Sequence, residues 1–165
     1  MIRAAAEADR DAIVAVARDA FSDDEERVAR IVEETPPAIS LVYEDGDGVV
    51  GHVLLSHALL DSDAGPRRVL LLGPLGVVSH RQRQGIGSEL TRASIRLADE
   101  RLEPVVLLLR HPEYYPRFGF RSASAIGIEP PEERLSGSPA WMALKLHAYD
   151  PELRGRVTFP PAFDE

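Results

Sequence analysis

The stretch 72–90 constrains this chain more than any other. It reads Leu72-Gly73-Pro74-Leu75-Gly76-Val77-Val78-Ser79-His80-Arg81-Gln82-Arg83-Gln84-Gly85-Ile86-Gly87-Ser88-Glu89-Leu90, an apolar strand passing through a polar loop into a helix. Ile86, Leu90, Ala93 and Leu97 share one helical face, which predicts a helix over 87–101. At such a junction the first helical turn has N–H groups without intrahelical partners and the positive end of the helix dipole. Gly85 and Gly87 carry no Cβ, so the backbone there can approach an anion, and Ser88 adds a hydroxyl donor. These features spell a phosphate cradle made of backbone amides, with a plain glycine turn as the bland alternative.

The kind of phosphate can be narrowed. A dinucleotide fingerprint would need another glycine near Leu90, and a P-loop would need Gly-Lys-Ser or Gly-Lys-Thr. Neither is present, and Lys145 is the one lysine among 19 basic residues. Upstream, Gly73-Pro74 and Gly76 interrupt the strand over 67–78. Proline removes a ladder donor and glycine permits a bulge, so a central strand weakened there would splay from its neighbour. Main-chain groups of Leu75 to Val78 would then be open to a ligand bearing amides. A thin ligand with amides along its arm and a pyrophosphate at one end is coenzyme A.

Composition sets the outer bounds. A length of 165 residues fits one domain, or at most two very small ones, and with no linker or repeat in view one α/β domain is the economical reading. The net charge of −8 argues against a nucleic-acid or anionic-membrane binder. With no cysteine there is no disulfide, thiolate nucleophile or cysteine metal site. No histidine–carboxylate cluster has metal-ligand spacing, so no metal is expected. Residues 1–10 lack the pattern of a secretory leader, and no apolar run approaches the ~20 residues that span a bilayer. A cytoplasmic protein is expected.

Along the chain the pattern is α/β. A short strand is predicted over 2–5 and an amphipathic helix over 9–21. A second helix, capped by Ser22 or Asp23 and with Val28, Ile31 and Val32 on one face, should stop at Thr35 before Pro36-Pro37. Strands follow over 39–43 and 49–60 around the turn 44–48, and a turn at 61–66 leads into the strand already described. Residues 105–109 form an apolar run suited to a strand buried on both faces. Later strands are predicted near 125–128 and 141–147, and 149–165 reads as a Pro-rich tail pinned by Phe159 and Phe163.

Gln82-Arg83-Gln84-Gly85-Ile86-Gly87 resembles the Arg/Gln-x-x-Gly-x-Gly/Ala motif of the GCN5-related N-acetyltransferase (GNAT) superfamily. The order of elements from Ile2 to about His147 resembles that fold too. The resemblance implies a single-domain α/β (α+β) GNAT fold over 1–147, with 148–165 as a tail packed on it. Its sheet would be mixed but mostly antiparallel, of six to seven strands, with one splayed parallel pair and helices on both faces. Acetyl-CoA would be the acyl donor. Gln82, Arg83, Gln84, Gly85, Ile86, Gly87 and Ser88 would form the pyrophosphate loop, and main-chain groups of Leu75 and Val77 would pair with the pantetheine arm. Arg81 and Arg83 flank this cradle and are candidates for phosphate contact.

The segment Tyr114-Tyr115-Pro116-Arg117-Phe118-Gly119-Phe120 resembles the superfamily's second motif, with a tyrosine four residues before Gly-Phe. That places Tyr115 as general acid to the coenzyme A thiolate, and Tyr114 as packing or substrate wall. A phenol suits the role, being neutral at pH 7 and able to donate. A core aromatic is the alternative. Pro116 limits any helix here, so Tyr115 is expected at a turn. The implied reaction is direct attack by a primary amine, on a small molecule or a peptide, without a covalent enzyme intermediate. No general base is assigned. His52 and His57 lie five apart on a strand, hence on opposite faces, and His57 is the weak candidate against a satisfied strand histidine. A non-catalytic acyl-CoA-binding module and a nucleotide-dependent phosphate binder stay open as rivals, and the resemblance leaves a homodimer open.

Overall fold

A computed structural model describes residues 1–164. Its elements run β1 (Ile2–Ala4), α1 (Arg10–Ala20), α2 (Glu25–Glu34), β2 (Ile39–Asp45), β3 (Gly48–Ser62), β4 (Gly65–Val77), α3 (Ile86–Glu100), β5 (Val105–Leu109), β6 (Arg121–Ser122), β7 (Ile128–Glu129), β8 (Trp141–Lys145) and β9 (Gly155–Thr158). The strands form one mixed sheet in the order β1-β2-β3-β4-β5-β8-β6, with β9 joining β3 and β7 off this path. The β4–β5 pairing is parallel, whereas β1–β2, β2–β3, β5–β8 and β6–β8 are antiparallel.

The chain divides into two compact units. One comprises Met1–Ser56, Leu72–Leu97 and the C-terminal residues from Pro161; the other comprises His57–Leu71 and Ala98–Pro160. In the first, α1 buries Ile13, Val16 and Ala17 and α2 buries Val28, Ala29 and Ile31. Ala29, not Val32, completes the buried stripe of α2. The N-cap of α2 is Asp24 rather than Ser22 or Asp23, because Phe21–Ser22–Asp23 are spent on a turn closed by Asp24 N–H to the Phe21 carbonyl at 2.9 Å. Thr35 is extended, as a residue before Pro36 must be, and ends the helix. Gly51 and Gly76 let helices lie close to the sheet. A Cβ at Gly51 would sit 2.9 Å from Ile86 Cγ2 of α3, and one at Gly76 would sit 3.3 Å from Ala20 Cβ of α1.

In the second unit β5 is the spine. Val105 to Leu108 are at most 2% exposed, as a strand paired on both edges and covered on both faces requires. The expected strand over 125–128 is instead a 3₁₀ turn, Ser124–Ile126, ended by left-handed Gly127 (φ +80°), with the pairing residues displaced to Arg121–Ser122 and Ile128–Glu129. The segment read as a tail supplies β9, with Val157 buried and Leu59↔Thr158 in register. Phe159 packs against Trp141 with ring centroids 6.0 Å apart. The last residue of that segment, Glu165, lies outside the described residues.

Candidate active site

In the first unit, β4 leads into the loop that opens α3. Val78 N–H donates to the Val50 carbonyl at 2.9 Å, so the strand stays anchored to β3 as it ends. Ser79 N–H donates to Asp19 Oδ2 at 2.7 Å, tying the start of the loop to the last turn of α1. Arg81 donates to Asp45 Oδ2 at 2.7 Å, to Asp47 Oδ2 at 2.9 Å and, through Nε, to Gln84 Oε1 at 3.0 Å. Its guanidinium is therefore committed to the β2–β3 hairpin and braces the loop. The hydrogen bond from Arg81 holds the Asp45 carboxyl below its usual range, with the Asp47 backbone N–H adding to this. Gln82 Nε2 donates to the Val77 carbonyl at 2.9 Å and closes the loop on the strand it came from.

Two residues of this loop have left-handed backbone, Arg83 at φ 64° and Gly85 at φ 85°. For Arg83 that conformation is costly, and such outliers persist where the surroundings enforce them. A Cβ at Gly85 would meet nothing within 4 Å, so the space in front of this backbone is open. The first helical bond of α3 runs from Glu89 N–H to the Gly85 carbonyl at 3.0 Å, and the amides of Ile86 and Gly87 precede it. Ile86 itself is buried, while Gln82, Arg83, Gln84 and Gly85 are exposed and Gly87 and Ser88 half-exposed. An open, amide-lined space at a helix start fits an anionic pyrophosphate.

The parallel register of β4 with β5 comprises Leu70↔Val106 and Leu71↔Leu107, although β4 runs on to Val77. Leu75 and Val77 are half-buried on that extension. The Val77 carbonyl is already an acceptor for Gln82, so its N–H is the group to consider for a ligand.

In the second unit the segment after β5 bends sharply. Arg110 and His111 both have positive φ (145° and 53°), strained for residues with side chains. A 3₁₀ turn, Tyr115–Phe118, follows, with Pro116 in its first turn and left-handed Gly119 (φ 99°) closing it. Tyr115 thus sits at a turn. Its ring is 6% exposed and packs edge-on against Tyr114 at 5.0 Å and Phe120 at 5.6 Å. Burial, reinforced by Tyr114, pushes the Tyr115 phenol well above its ordinary range. It is a neutral O–H donor at any working pH. Tyr114 is half-buried, with the Arg117 guanidinium 4.4 Å from its ring centroid.

Four of the five histidines are engaged by a neighbouring side chain. His57 Nε2 lies 3.0 Å from Glu103 Oε2, and Glu103 follows the C-terminal end of α3, not the end that opens the loop. His57 is the strand histidine satisfied by a neighbour. His52 is buried, its Nε2 2.9 Å from Ser40 Oγ. His111 lies 3.7 Å from Glu113, and His147 pairs with Asp99 at 2.7 Å. Among the described residues no group of three or more histidines, cysteines or acids is placed to hold a metal, and no helix is long and apolar enough to cross a membrane. Asp19, Asp45 and Asp47, which hold the loop, were not visible as site residues in the sequence. Their partners lie 34 to 60 residues away, and nothing local marks them.

A mostly antiparallel mixed sheet, in which β4 pairs in parallel with β5 and runs on into a glycine loop at the start of α3, is the architecture that the N-acetyltransferase resemblance implies. The model of the Acetyltransferase (GNAT) domain matches residues 1–123, and the chain belongs to this family. It is 30% identical over 144 residues to the uncharacterized N-acetyltransferase YjhQ of Escherichia coli strain K12, covering 83% of this chain and 78% of that protein. Among solved structures it resembles a GNAT family acetyltransferase from Brucella melitensis in complex with acetyl-CoA (TM-score 0.78, 26% identity, 99% of this chain and 97% of that one). It also has the fold of the GNAT family N-acetyltransferase YhbS from Escherichia coli in complex with CoA (TM-score 0.83, 24% identity, 99% and 91%). The chain is a GNAT-class N-acetyltransferase.

Proposed function

We propose that this protein moves the acetyl group of acetyl-CoA to a primary amine by direct attack in a ternary complex. The observation that carries this is the open space before Gly85, in left-handed backbone directly ahead of the first turn of α3. Donor amides of residues 83–88 bind the pyrophosphate there, and main-chain groups of Leu75 and Val77 hold the pantetheine arm. Gln82 and Gln84 act by shaping the loop, through Val77 and Arg81 respectively. Arg83 is the cationic neighbour of the phosphates, since Arg81 is bound to carboxylates.

The amine nitrogen attacks the thioester carbonyl and the carbonyl oxygen takes the charge. Collapse of the tetrahedral intermediate breaks the C–S bond and expels the coenzyme A thiolate, to which the Tyr115 hydroxyl delivers a proton. The attacking nitrogen gives up one proton to solvent and the phenol regains one from solvent, leaving the acetylated amine and free coenzyme A thiol. A buried phenol kept neutral is suited to that delivery. Two features support similar chemistry in this chain: the likeness to the acetyl-CoA complex from Brucella melitensis and the family membership. The acceptor is an amine on a small molecule or a peptide, the reaction is cytoplasmic, and the working assembly is a monomer or a homodimer. Residues 1–147 carry the transferase domain and 148–165 complete it.

Thiol release from acetyl-CoA across an amine panel tests the reading. Amine-dependent release supports it; tight coenzyme A binding with no release for any amine would make the protein an acyl-CoA-binding module.

A further inference from the structure

Within the first unit a cleft of about 240 Å³ lies between the segment 5–7 that follows β1, the N-terminal half of α1, the C-terminal end of α2 and strands β2 and β3. Its buried side is neutral and hydrogen-bonding. Ser40 Oγ and His52 Nε2 are 2.9 Å apart, and Thr35, only 5% exposed, contributes a buried hydroxyl that no hydrogen bond satisfies. An unsatisfied buried hydroxyl is costly, and native proteins keep few of them. Its exposed side is ionic and carries both signs. Arg10 and Glu33 face each other at a loose 4.0 Å, with side chains 58% and 38% exposed, and Glu7 also lines the opening. Ile13 and Leu54 supply apolar wall between the two sides.

This cleft is separate from the loop that opens α3. The C-terminal turn of α1 abuts that region, with Ala20 against Gly76 and Asp19 bound to Ser79. Arg10, at the other end of the helix, is about 15 Å away along its axis.

We infer that the cleft is a second small-molecule site, built for a free α-amino acid with a short, uncharged polar side chain. The fork of Arg10 matches the carboxylate and the acids Glu7 and Glu33 match the ammonium. The side-chain hydroxyl or amide reaches inward and gives Thr35 the partner it lacks, beside the Ser40–His52 pair. Burial keeps His52 uncharged, down to a pKa of about 4, so the inner side stays neutral and selects against charged side chains.

Titration calorimetry on the full chain, with glutamine, asparagine, serine and threonine set against leucine and aspartate, tests this. The expected result is saturable binding of at least one polar uncharged amino acid, with leucine and aspartate about tenfold weaker or worse. Thr35→Val, which keeps the shape and removes the hydroxyl, should weaken that binding by about tenfold while coenzyme A affinity stays the same and the melting temperature does not fall. Should Thr35→Val fold poorly, the exposed Arg10→Gln provides the same readout. No saturable binding up to about 10 mM, equal binding of leucine, or unchanged affinity in the variants would overturn the assignment.

Discussion

The Arg81 guanidinium donates to Asp45 Oδ2 at 2.7 Å, so a residue of the glycine loop is held by the hairpin between β2 and β3. This makes Arg81 a brace for the cradle rather than a reader of phosphate. Arg81→Gln should weaken coenzyme A binding by less than about tenfold, through a looser loop. Asp45→Asn should weaken it similarly, although it removes a negative charge. A far larger loss in Arg81→Gln, with a gain in Asp45→Asn, would show that Arg81 meets the ligand directly.

Tyr115→Phe deletes one oxygen from a ring held by Tyr114, Phe118 and Phe120. The expected fall in kcat is about 10²-fold, with coenzyme A affinity changed by no more than about twofold. Since burial raises the phenol above its ordinary 10, the wild-type rate should show no decline from its ionisation below pH 10. Steady-state rates and a titration of the same variant decide this. Unchanged turnover would return Tyr115 to a packing role.

His57 is paired with Glu103 at 3.0 Å and half-buried. His57→Gln should therefore lower the melting temperature while kcat stays within about twofold and its pH profile keeps its shape. A large loss of kcat with a missing acid limb would instead identify His57 as the base.

His52 provides a pH signature of the fold. Burial lowers its pKa from 6.5 to about 4 in the folded chain. Below pH 6.5 the unfolded chain takes up a proton that the folded chain refuses until about pH 4, so stability is full above 6.5 and falls across that window. The loss is about 3 kcal/mol. Carboxylates such as Asp9 and Asp45, whose pKa values are held low by Arg3 and Arg81, act in the same direction at lower pH. Denaturant unfolding between pH 7 and 4 should show the fall in wild type and a flatter curve in His52→Gln. Parallel curves would contradict it.

The parts legible in the sequence were those whose physics is local. Gly85 before an apolar 3.6-residue pattern marks a helix start whichever way the chain folds, and Val105 to Leu109 mark a strand buried on both faces. Pro116 placed Tyr115 at a turn because proline restricts the residue before it. Strand β9 was not legible, since Gly155 to Thr158 pair only because β3 and β7 present matching edges. The stretch 125–128 misled because Ile126 and Ile128 look like strand residues, while Gly127 takes a left-handed turn between them. The braces Asp19 and Asp45 were hidden for the same reason as β9. An acid's role as a strut is decided by what folds against it.

The central claim is that Gly85 opens a pyrophosphate site, and a titration of coenzyme A into wild type and Gly85→Glu tests it most directly. A glutamate there projects into space that is empty of protein but takes on the strain of a side chain at φ 85°, about 1–3 kcal/mol. The variant should therefore melt lower than wild type yet remain folded, and Gly85→Ala, which carries the strain without the charge, is its control. Its carboxylate would occupy the anion site and repel the phosphates. Saturable binding in wild type with none measurable in folded Gly85→Glu is the predicted result. Coenzyme A affinity retained in Gly85→Glu, or absent from wild type, would contradict it.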